Sequence, residues 1–465
     1  MSISSASPGH PPQRMHDHSP DLLAMVDNVI DYSRRRLIFD DVPLDKPQPE
    51  RELRRLASGS ITEDGIGARR ALAMFENVLA PACLTVDHPE FLAFIPSAPS
   101  KASIAFDLVV SASSVYAGSW LEGSGAVFAE NEVLRALADE YGMPPEAGGA
   151  FVQGGTIGNL SALVAARDAR RRAFAAEGRE RPARWVVICS EESHSSVRSA
   201  AEVMDVDVAV AEVDDDGRLH GEAVRPLLAE HGDAVFAVVA TAGLTNLGIV
   251  DDVASIAALK GEFDFWLHVD GAYGLAAALL PELRPLFAGI EAADSLIVDP
   301  HKWLFAPFDA CALLYRDPLG ARLAHTQKAG YLDTLEGDDW NPSDFAVQLS
   351  RRARGLPLWY SLATHGLGAY RDAIRECVRV AHEIGEVVRS RPELELVVEP
   401  ELSVVAFRRL GWGRAEYDEW SQRLLDEQLG FVTTSSHRGE PITRFAVVNP
   451  RTSVEGVTRI LDTMR

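Results

Sequence analysis

Short apolar runs that alternate with helical patterns are the feature that most constrains the fold of this chain. Five such runs lie at 185–190, 206–210, 235–240, 266–269 and 296–298. Most of them are continuously apolar, as is typical of strands buried on both faces. Helical periodicity separates several of them, and a further helix is indicated at 157–176. The alternation predicts an α/β fold with a mainly parallel sheet and helices on both faces.

The run at 296–298 ends in a polar segment that contains one lysine. This segment reads Asp299-Pro-His-Lys-Trp303, and its proline prevents the strand from continuing inside a sheet. Lys302 is therefore expected at the carboxyl end of a strand, where open α/β sheets bind their ligands. Apolar neighbours would desolvate the amine and lower its pKa, so that it could form a Schiff base. The alternative is an ordinary solvated lysine.

The preceding run, at 266–269, ends in an acid, Asp270. Two successive strand ends thus carry a carboxylate and a lysine. Pyridoxal 5′-phosphate (PLP) requires this pair, because a lysine binds its aldehyde and a carboxylate keeps its pyridine nitrogen protonated. The two motifs in this order predict a PLP site. The alternative is a non-catalytic or nucleotide-binding α/β protein.

Asp270-Gly-Ala-Tyr273 followed by Asp299-Pro-His-Lys-Trp303 resembles the group II PLP-dependent amino-acid decarboxylases, which include the aromatic-L-amino-acid, glutamate and diaminobutyrate decarboxylases. The similarity extends from His88 to Thr452. It implies PLP-dependent transferase fold type I, with a mainly parallel seven-stranded sheet and a small C-terminal α/β domain in which we expect mixed strand pairing. The expected segments are a disordered tail at 1–20, an N-terminal helical arm at 21–90, a large PLP-binding domain at 91–360 and the small domain at 361–465.

The segment Gly154-Gly-Thr156 opens a predicted helix, in which Thr156 can act as the cap, and a glycine-rich helix start can bind an anion. Taken alone, it could be a simple turn, and His194 could be an ordinary capping histidine. The resemblance assigns the helix start to the PLP phosphate and stacks His194 on the pyridine ring. It implies Gly155, Thr156, His194, Thr245, Asp270, Ala272 and Lys302 for cofactor binding, and Lys302, His194, Asp270 and His301 for catalysis. A second carboxylate of the family falls on Asp251 or Asp252.

Four residues are candidates for the substrate side of the pocket: Phe91, Phe94, Trp120 and Arg354. The resembling family places the aromatic segment beside the substrate. The alternatives are core aromatic residues and, for the arginine, a solvated basic cluster. Available aromatic side chains favour an L-amino acid with an aromatic or bulky apolar side chain, while acidic and diamino acids remain the other options.

A long irregular segment at 324–350 is expected to form a lid. Aromatic amino-acid decarboxylases carry a lid tyrosine that is credited with protonating the substrate carbon, and Tyr331 is the only tyrosine in this segment. Because Tyr331 lies early in the segment, Lys302, His301 and a lid residue all remain candidates for the proton donor. Loss of that tyrosine in relatives goes with oxygen-dependent aldehyde synthesis, which therefore stays open beside amine formation.

The net charge and the cysteines limit the partners and the compartment. A formal net charge of −23 argues against nucleic acid or an anionic membrane, since either would repel the chain. Four scattered cysteines favour free thiols and a reducing cytoplasm over disulfides or a metal site. In the resembling family the N-terminal arm wraps a second subunit. The resemblance thus implies a homodimer with the active site at the subunit interface.

Overall fold

The computed structural model describes residues 15–16, 18–39, 42–327 and 339–465. The chain divides into two compact units, one ending at Thr85 and one running from Val86 to Arg465. Most of the tail expected at 1–20, and Tyr331 of the expected lid, lie outside the described residues. Within the described parts, no helix is both long and apolar enough to span a membrane.

The first unit is helical. Its helices are α1 (Pro20–Leu37), α2 (Glu50–Ala57) and α3 (Ala68–Met74). Ser19 caps α1, because its side chain accepts a hydrogen bond from the amide of Leu22. Arg35 of α1 pairs with Glu76 just after α3, at 2.7 Å. The connector between α1 and α2 contains prolines at 43, 47 and 49, which cannot continue a helix.

The second unit is built around a seven-stranded sheet. Its strands are β1 (Gly148–Val152), β2 (Val186–Ser190), β3 (Asp207–Ala211), β4 (Val235–Thr241), β5 (Trp266–Asp270), β6 (Ser295–Val298) and β7 (Cys311–Tyr315). They lie in the order β1-β7-β6-β5-β4-β2-β3. Strands β2 to β6 run parallel, while β7 is antiparallel to both of its neighbours. The predicted mainly parallel seven-stranded sheet is confirmed.

Helices cover both faces of this sheet. The helices of the second unit are α4 (Lys101–Ser113), α5 (Trp120–Glu140), α6 (Gly155–Ala176), α7 (Ser195–Met204), α8 (Gly221–His231), α9 (Val253–Ala258), α10 (Pro300–Trp303), α11 (Pro318–His325), α12 (Leu356–Arg389), α13 (Arg414–Asp426) and α14 (Val454–Leu461). Alternate residues of β2 enter different apolar clusters: Ile188 lies in one, and Val187 and Cys189 lie in another. This alternation follows from the two-residue period of a strand, so both faces are buried.

A second, smaller sheet lies near the C-terminus. It consists of β8 (Leu394–Leu396), β9 (Val404–Arg409), β10 (Thr434–His437) and β11 (Glu440–Ala446), in the order β10-β11-β9-β8. Every pair is antiparallel, so the expectation of mixed pairing is wrong. Phe431 lies outside these strands and forms an isolated bridge with Phe91, and the two rings lie 5.2 Å apart.

Candidate active site

A cavity of about 350 Å³ lies at the carboxyl end of the parallel strands. The order of the strands determines which segments surround this cavity. Strand β5 ends in Asp270, β6 leads into α10 with Lys302, and β1 leads into α6. Because β7 runs antiparallel between β1 and β6, the carboxyl ends of β1 and β6 lie at the same edge. The predicted cofactor and catalytic residues that line the cavity are Gly155, Thr156, His194, Thr245, Asp270, Ala272, His301 and Lys302.

Lys302 projects into this cavity as part of an ion pair. Its Nζ lies 3.2 Å from Oδ2 of Asp299, and about one fifth of its side chain is exposed. Burial lowers the pKa of Lys302, but attraction by Asp299 and Asp270 outweighs burial, and the net pKa is raised. The predicted lowering of this pKa is wrong, because apolar neighbours in sequence do not reveal the carboxylates that lie around the amine.

Asp270 is buried and held by two hydrogen bonds. Its Oδ2 accepts from Nδ2 of Asn159 at 2.8 Å, and its Oδ1 accepts from the amide of Ala272 at 3.1 Å. The carboxylate can therefore point in only one direction. Asn159 lies on α6, one helical turn after Gly155. The same helix therefore provides both its own N-terminus and the asparagine that orients Asp270.

A buried hydrogen-bond chain continues behind Asn159. The indole of Trp266 donates to Oγ of Ser295 at 2.7 Å, and this hydroxyl lies 2.8 Å from Nδ1 of His268. An indole only donates, so Ser295 accepts from it; the one proton of a neutral His268 ring lies on Nε2, facing the amide oxygen of Asn159, so Nδ1 accepts the Ser295 proton. Nε2 of His268 then donates to Oδ1 of Asn159 at 2.9 Å. Burial lowers the pKa of His268 to about 4, although Asp270 opposes this shift, so the ring is neutral at pH 7.

The same asparagine also orients His194. Nδ2 of Asn159 donates to Oγ of Ser196 at 2.8 Å, and that hydroxyl lies 2.8 Å from Nδ1 of His194. The amide of Ser196 also donates to this nitrogen, at 3.2 Å. Nδ1 is thus an acceptor, which leaves Nε2 to carry the ring proton. Asn159 therefore fixes two side chains of the cavity at once.

Sequence reasoning missed Asn159, Ser196 and His268. One signal was available for His268, since a histidine inside a continuously apolar strand needs hydrogen-bond partners. Nothing in the sequence indicates that Asn159 and Ser196 share a hydrogen bond, because this depends on how α6 and α7 pack.

The other end of the cavity is the start of α6. The amide of Gly155 donates to Oδ2 of Asp299 at 3.2 Å, and a Cβ at Gly155 would lie 3.1 Å from that oxygen. Gly154 caps the helix and no side chain does so, so the expected cap by Thr156 is wrong: the helix begins before it. Thr156 lies in the first turn, where amides of a helix are available to an anion.

The cavity fits PLP on three structural grounds. A carboxylate and an amine lie at separate points of its wall, and a helix start lies beside the amine. Oγ1 of Thr241 is buried in the wall and finds no hydrogen-bond partner within the described part of the chain. Such an unpaired group is costly unless a ligand satisfies it. Asp270, Lys302 and the start of α6 are thus the residues that would hold the pyridine, aldehyde and phosphate groups.

The four candidate substrate residues do not line this cavity. Phe91 is buried against Phe431, whereas Phe94 has a positive φ of 54° and is 58% exposed. The amide of Trp120 donates to Asn341 at the start of α5. Arg354 donates to Asp309, an aspartate of the cavity wall, at 2.8 Å. Their roles remain predictions.

The two candidates for the second carboxylate also lie outside the cavity wall. Asp251 is buried and accepts from the amides of Thr241 and Leu219 at 2.6 and 2.9 Å. Burial raises the pKa of Asp251 to about 7, although these amides favour the charged form. Asp252 instead caps α9 by accepting from the amide of Ser255. Asp251 therefore fastens the end of β4, which carries Thr241.

Comparison with known proteins gives one consistent result. Residues 52–410 match the model of the pyridoxal-dependent decarboxylase conserved domain. The chain is 30% identical to an aromatic-L-amino-acid decarboxylase of Bacillus atrophaeus, over 92% of this chain and 93% of the relative. It is also 30% identical to an L-2,4-diaminobutyrate decarboxylase of Rhizobium meliloti, over 86% and 82%. Oryza sativa TDC, solved with PLP and tryptamine, has a TM-score of 0.88 at 25% identity, over 97% of this chain and 99% of that one.

The matched domain covers most of the chain and includes every residue of the cavity wall named above. The chain belongs to the pyridoxal-dependent decarboxylase family, and it is a PLP-dependent amino-acid decarboxylase.

Proposed function

We propose that this enzyme removes CO2 from an L-amino acid with an aromatic or bulky apolar side chain and releases the amine. The observation that carries the substrate class is Phe308, which is 54% exposed at the cavity wall and whose ring lies 5.0 Å from that of His301. An exposed aromatic ring in a binding cavity favours an apolar group opposite it. The name of the Bacillus atrophaeus relative supports the same class.

The cavity residues divide the reaction between them. Bound PLP supplies an electron-withdrawing ring. Asp270, fixed by Asn159, keeps a proton on the pyridine nitrogen, and His194 offers the flat face of its ring. Lys302 would hold the aldehyde group, which reacts with amines and can therefore also bind the substrate amine. Gly155 and Thr156 orient the phosphate, which positions the bond that breaks.

Within the part of the chain that the structure describes, His301 and Lys302 are the candidates for returning a proton to the substrate carbon. Nδ1 of His301 lies 2.7 Å from the carbonyl oxygen of Ala310 and 3.2 Å from its amide nitrogen, so Ala310 holds this side of the ring. Nε2 lies on the other side of the ring, 3.7 Å from Oδ2 of Asp299. This ring nitrogen can receive and release a proton beside Lys302.

The enzyme is proposed to act as a cytoplasmic homodimer. Large apolar side chains are exposed on α5, where Leu121 and Phe128 are 68% and 58% exposed, and on α1, where Leu23 is 65% exposed. Large apolar side chains that are exposed on each of these helices favour a protein partner. Light scattering of the purified protein should give twice the chain mass of 50.5 kDa. A mass of one chain at micromolar concentration would contradict the dimer.

The substrate is tested by incubating the purified enzyme and PLP with aromatic, branched, acidic and basic L-amino acids. Carbon dioxide, amine, aldehyde and peroxide are measured in the same samples. We expect carbon dioxide and amine in equal amounts, with kcat/KM highest for an aromatic or bulky apolar substrate. A preference for an acidic or diamino acid would contradict the proposed substrate class.

The same assay distinguishes amine formation from oxygen-dependent aldehyde synthesis. Among the described residues of the segment expected as a lid, 324–327 and 339–350, no tyrosine is present that could donate a proton. Aldehyde together with peroxide would therefore identify oxygen-dependent aldehyde synthesis, whereas amine alone would exclude it.

A further inference from the structure

Asp299 is a buried carboxylate at the start of α6. Its Oδ2 accepts from the amide of Gly155 at 3.2 Å and lies 3.2 Å from Nζ of Lys302. Its Oδ1 is buried and has no hydrogen-bond partner among the residues that the structure describes. Asp299 is 1% exposed and is also part of the cavity wall. A negative charge thus lies against the helix start assigned to the phosphate.

We propose that Asp299 sets the affinity of the site for the phosphate group of the cofactor, and that it lowers this affinity. The inference rests on the proposed role of Gly155 and Thr156 as phosphate ligands. A phosphate at this helix start must share the Gly155 amide with the carboxylate, and the two anions repel each other across a few ångströms of poorly solvated space.

The charges around Asp299 come from several elements. Lys302 and His301 face it from α10, at 3.2 and 3.7 Å. The buried thiol of Cys311 on β7 lies close enough for Asp299 to raise its pKa further, after the larger effect of burial. Asp270 on β5 adds a second negative charge near Lys302. The cavity wall therefore contains one lysine ammonium for two buried carboxylates before a phosphate is added, and its third carboxylate, Asp309, is more exposed and pairs with Arg354.

An asparagine in place of Asp299 should raise the affinity of the site for the phosphate group. Asp299→Asn keeps the size of the side chain and an oxygen that can accept from the Gly155 amide. It removes the repelling charge and adds an N–H group that can donate to the phosphate. It also leaves the ammonium of Lys302 with one partner fewer, so that this ammonium attracts the phosphate more strongly.

The experiment compares the binding of pyridoxine 5′-phosphate with that of pyridoxine by calorimetry. Neither compound has an aldehyde, so Lys302 cannot react with it and only the phosphate distinguishes them. The ratio of the two dissociation constants isolates the phosphate from any general change in folding or in ring binding. We expect Asp299→Asn to raise the preference for the phosphorylated compound by roughly ten-fold or more.

Asp309→Asn is the matched control. Asp309 lies in the same cavity wall, but its side chain is 45% exposed and pairs with Arg354. Solvent screens such a charge, so the preference should change by no more than about two-fold. Asp299→Ala serves as a second variant, which removes the charge without adding a donor, and it should raise the preference less than Asp299→Asn does.

An unchanged or reduced preference in Asp299→Asn would overturn the inference. An equal rise in Asp309→Asn would also overturn it, because the effect would then reflect total charge. The visible absorption of the PLP Schiff base is recorded separately for each protein. If the wild type shows that absorption and no preference for the phosphorylated compound, the proposed phosphate ligands are wrong and the inference fails with them.

Discussion

Replacing Lys302 by alanine should abolish covalent attachment of PLP and lower kcat by at least about 10³-fold. Among the described residues of the cavity wall Lys302 is the only lysine, so no other amine of that wall can take its place. Reduction of the PLP-loaded wild type with borohydride, followed by digestion and mass spectrometry, should place the label on the peptide that contains Lys302. The lysines to be distinguished are Lys46, Lys101, Lys260, Lys302 and Lys328.

Lys260→Ala is the matched control for this experiment. Lys260 also forms an ion pair with an aspartate, Asp294, at 2.6 Å, but it lies outside the cavity wall. Its loss should lower stability and leave labelling and kcat unchanged. A label on any other lysine, or substantial turnover by Lys302→Ala without added amine, would remove Lys302 from its proposed role.

Replacing Asp270 by asparagine should leave PLP bound and lower kcat by about 10²-fold or more. The phosphate and aldehyde ligands remain, so binding survives. The neutral amide cannot hold a proton on the pyridine nitrogen, and its N–H group would face the donating amide of Asn159. The measurements are PLP content after gel filtration, kcat, and kcat/KM on the best substrate of the panel.

Asp252→Asn provides the comparison for Asp270. Asp252 caps α9 outside the cavity, and asparagine caps a helix about as well as aspartate. This variant should keep both PLP and turnover. Near-normal kcat in Asp270→Asn would reject the role proposed for Asp270, whereas loss of PLP would assign it to binding instead.

Most of the central sheet is predictable because its strands are continuous apolar runs. Strands β2 to β6 begin and end within one residue of the runs found in the sequence. Strand β1 cannot be predicted in this way, because it starts with two glycines, which weaken a strand pattern. Gly149 is required there because a Cβ would collide with the carbonyl oxygen of Leu313 on β7. A contact of this kind belongs to the packed sheet and has no local signal.

Only some features of the candidate site can likewise be predicted from the sequence. Its position follows from strand ends, and a resemblance carried by Asp270 and Lys302 identifies the cofactor. The raised pKa of Lys302 depends on how closely the carboxylates of Asp299 and Asp270 approach the amine, and the double role of Asn159 depends on contacts with residues that are far apart from it in sequence. Asp299 illustrates the limit: proline after it predicts the end of a strand, but only the packed structure places its carboxylate on the amide of Gly155.

The position of β7 between β1 and β6 has a consequence for protein synthesis. Gly148 of β1 pairs with Tyr315 of β7, so the strand that leads into α6 acquires its neighbour much later in translation. A ribosome that stops before Tyr315 leaves the two ends of the cavity unjoined, because β6 also pairs with β7. Cofactor loading must therefore follow the emergence of this segment. Binding of the cofactor thus indicates that the central sheet of a newly made chain is complete.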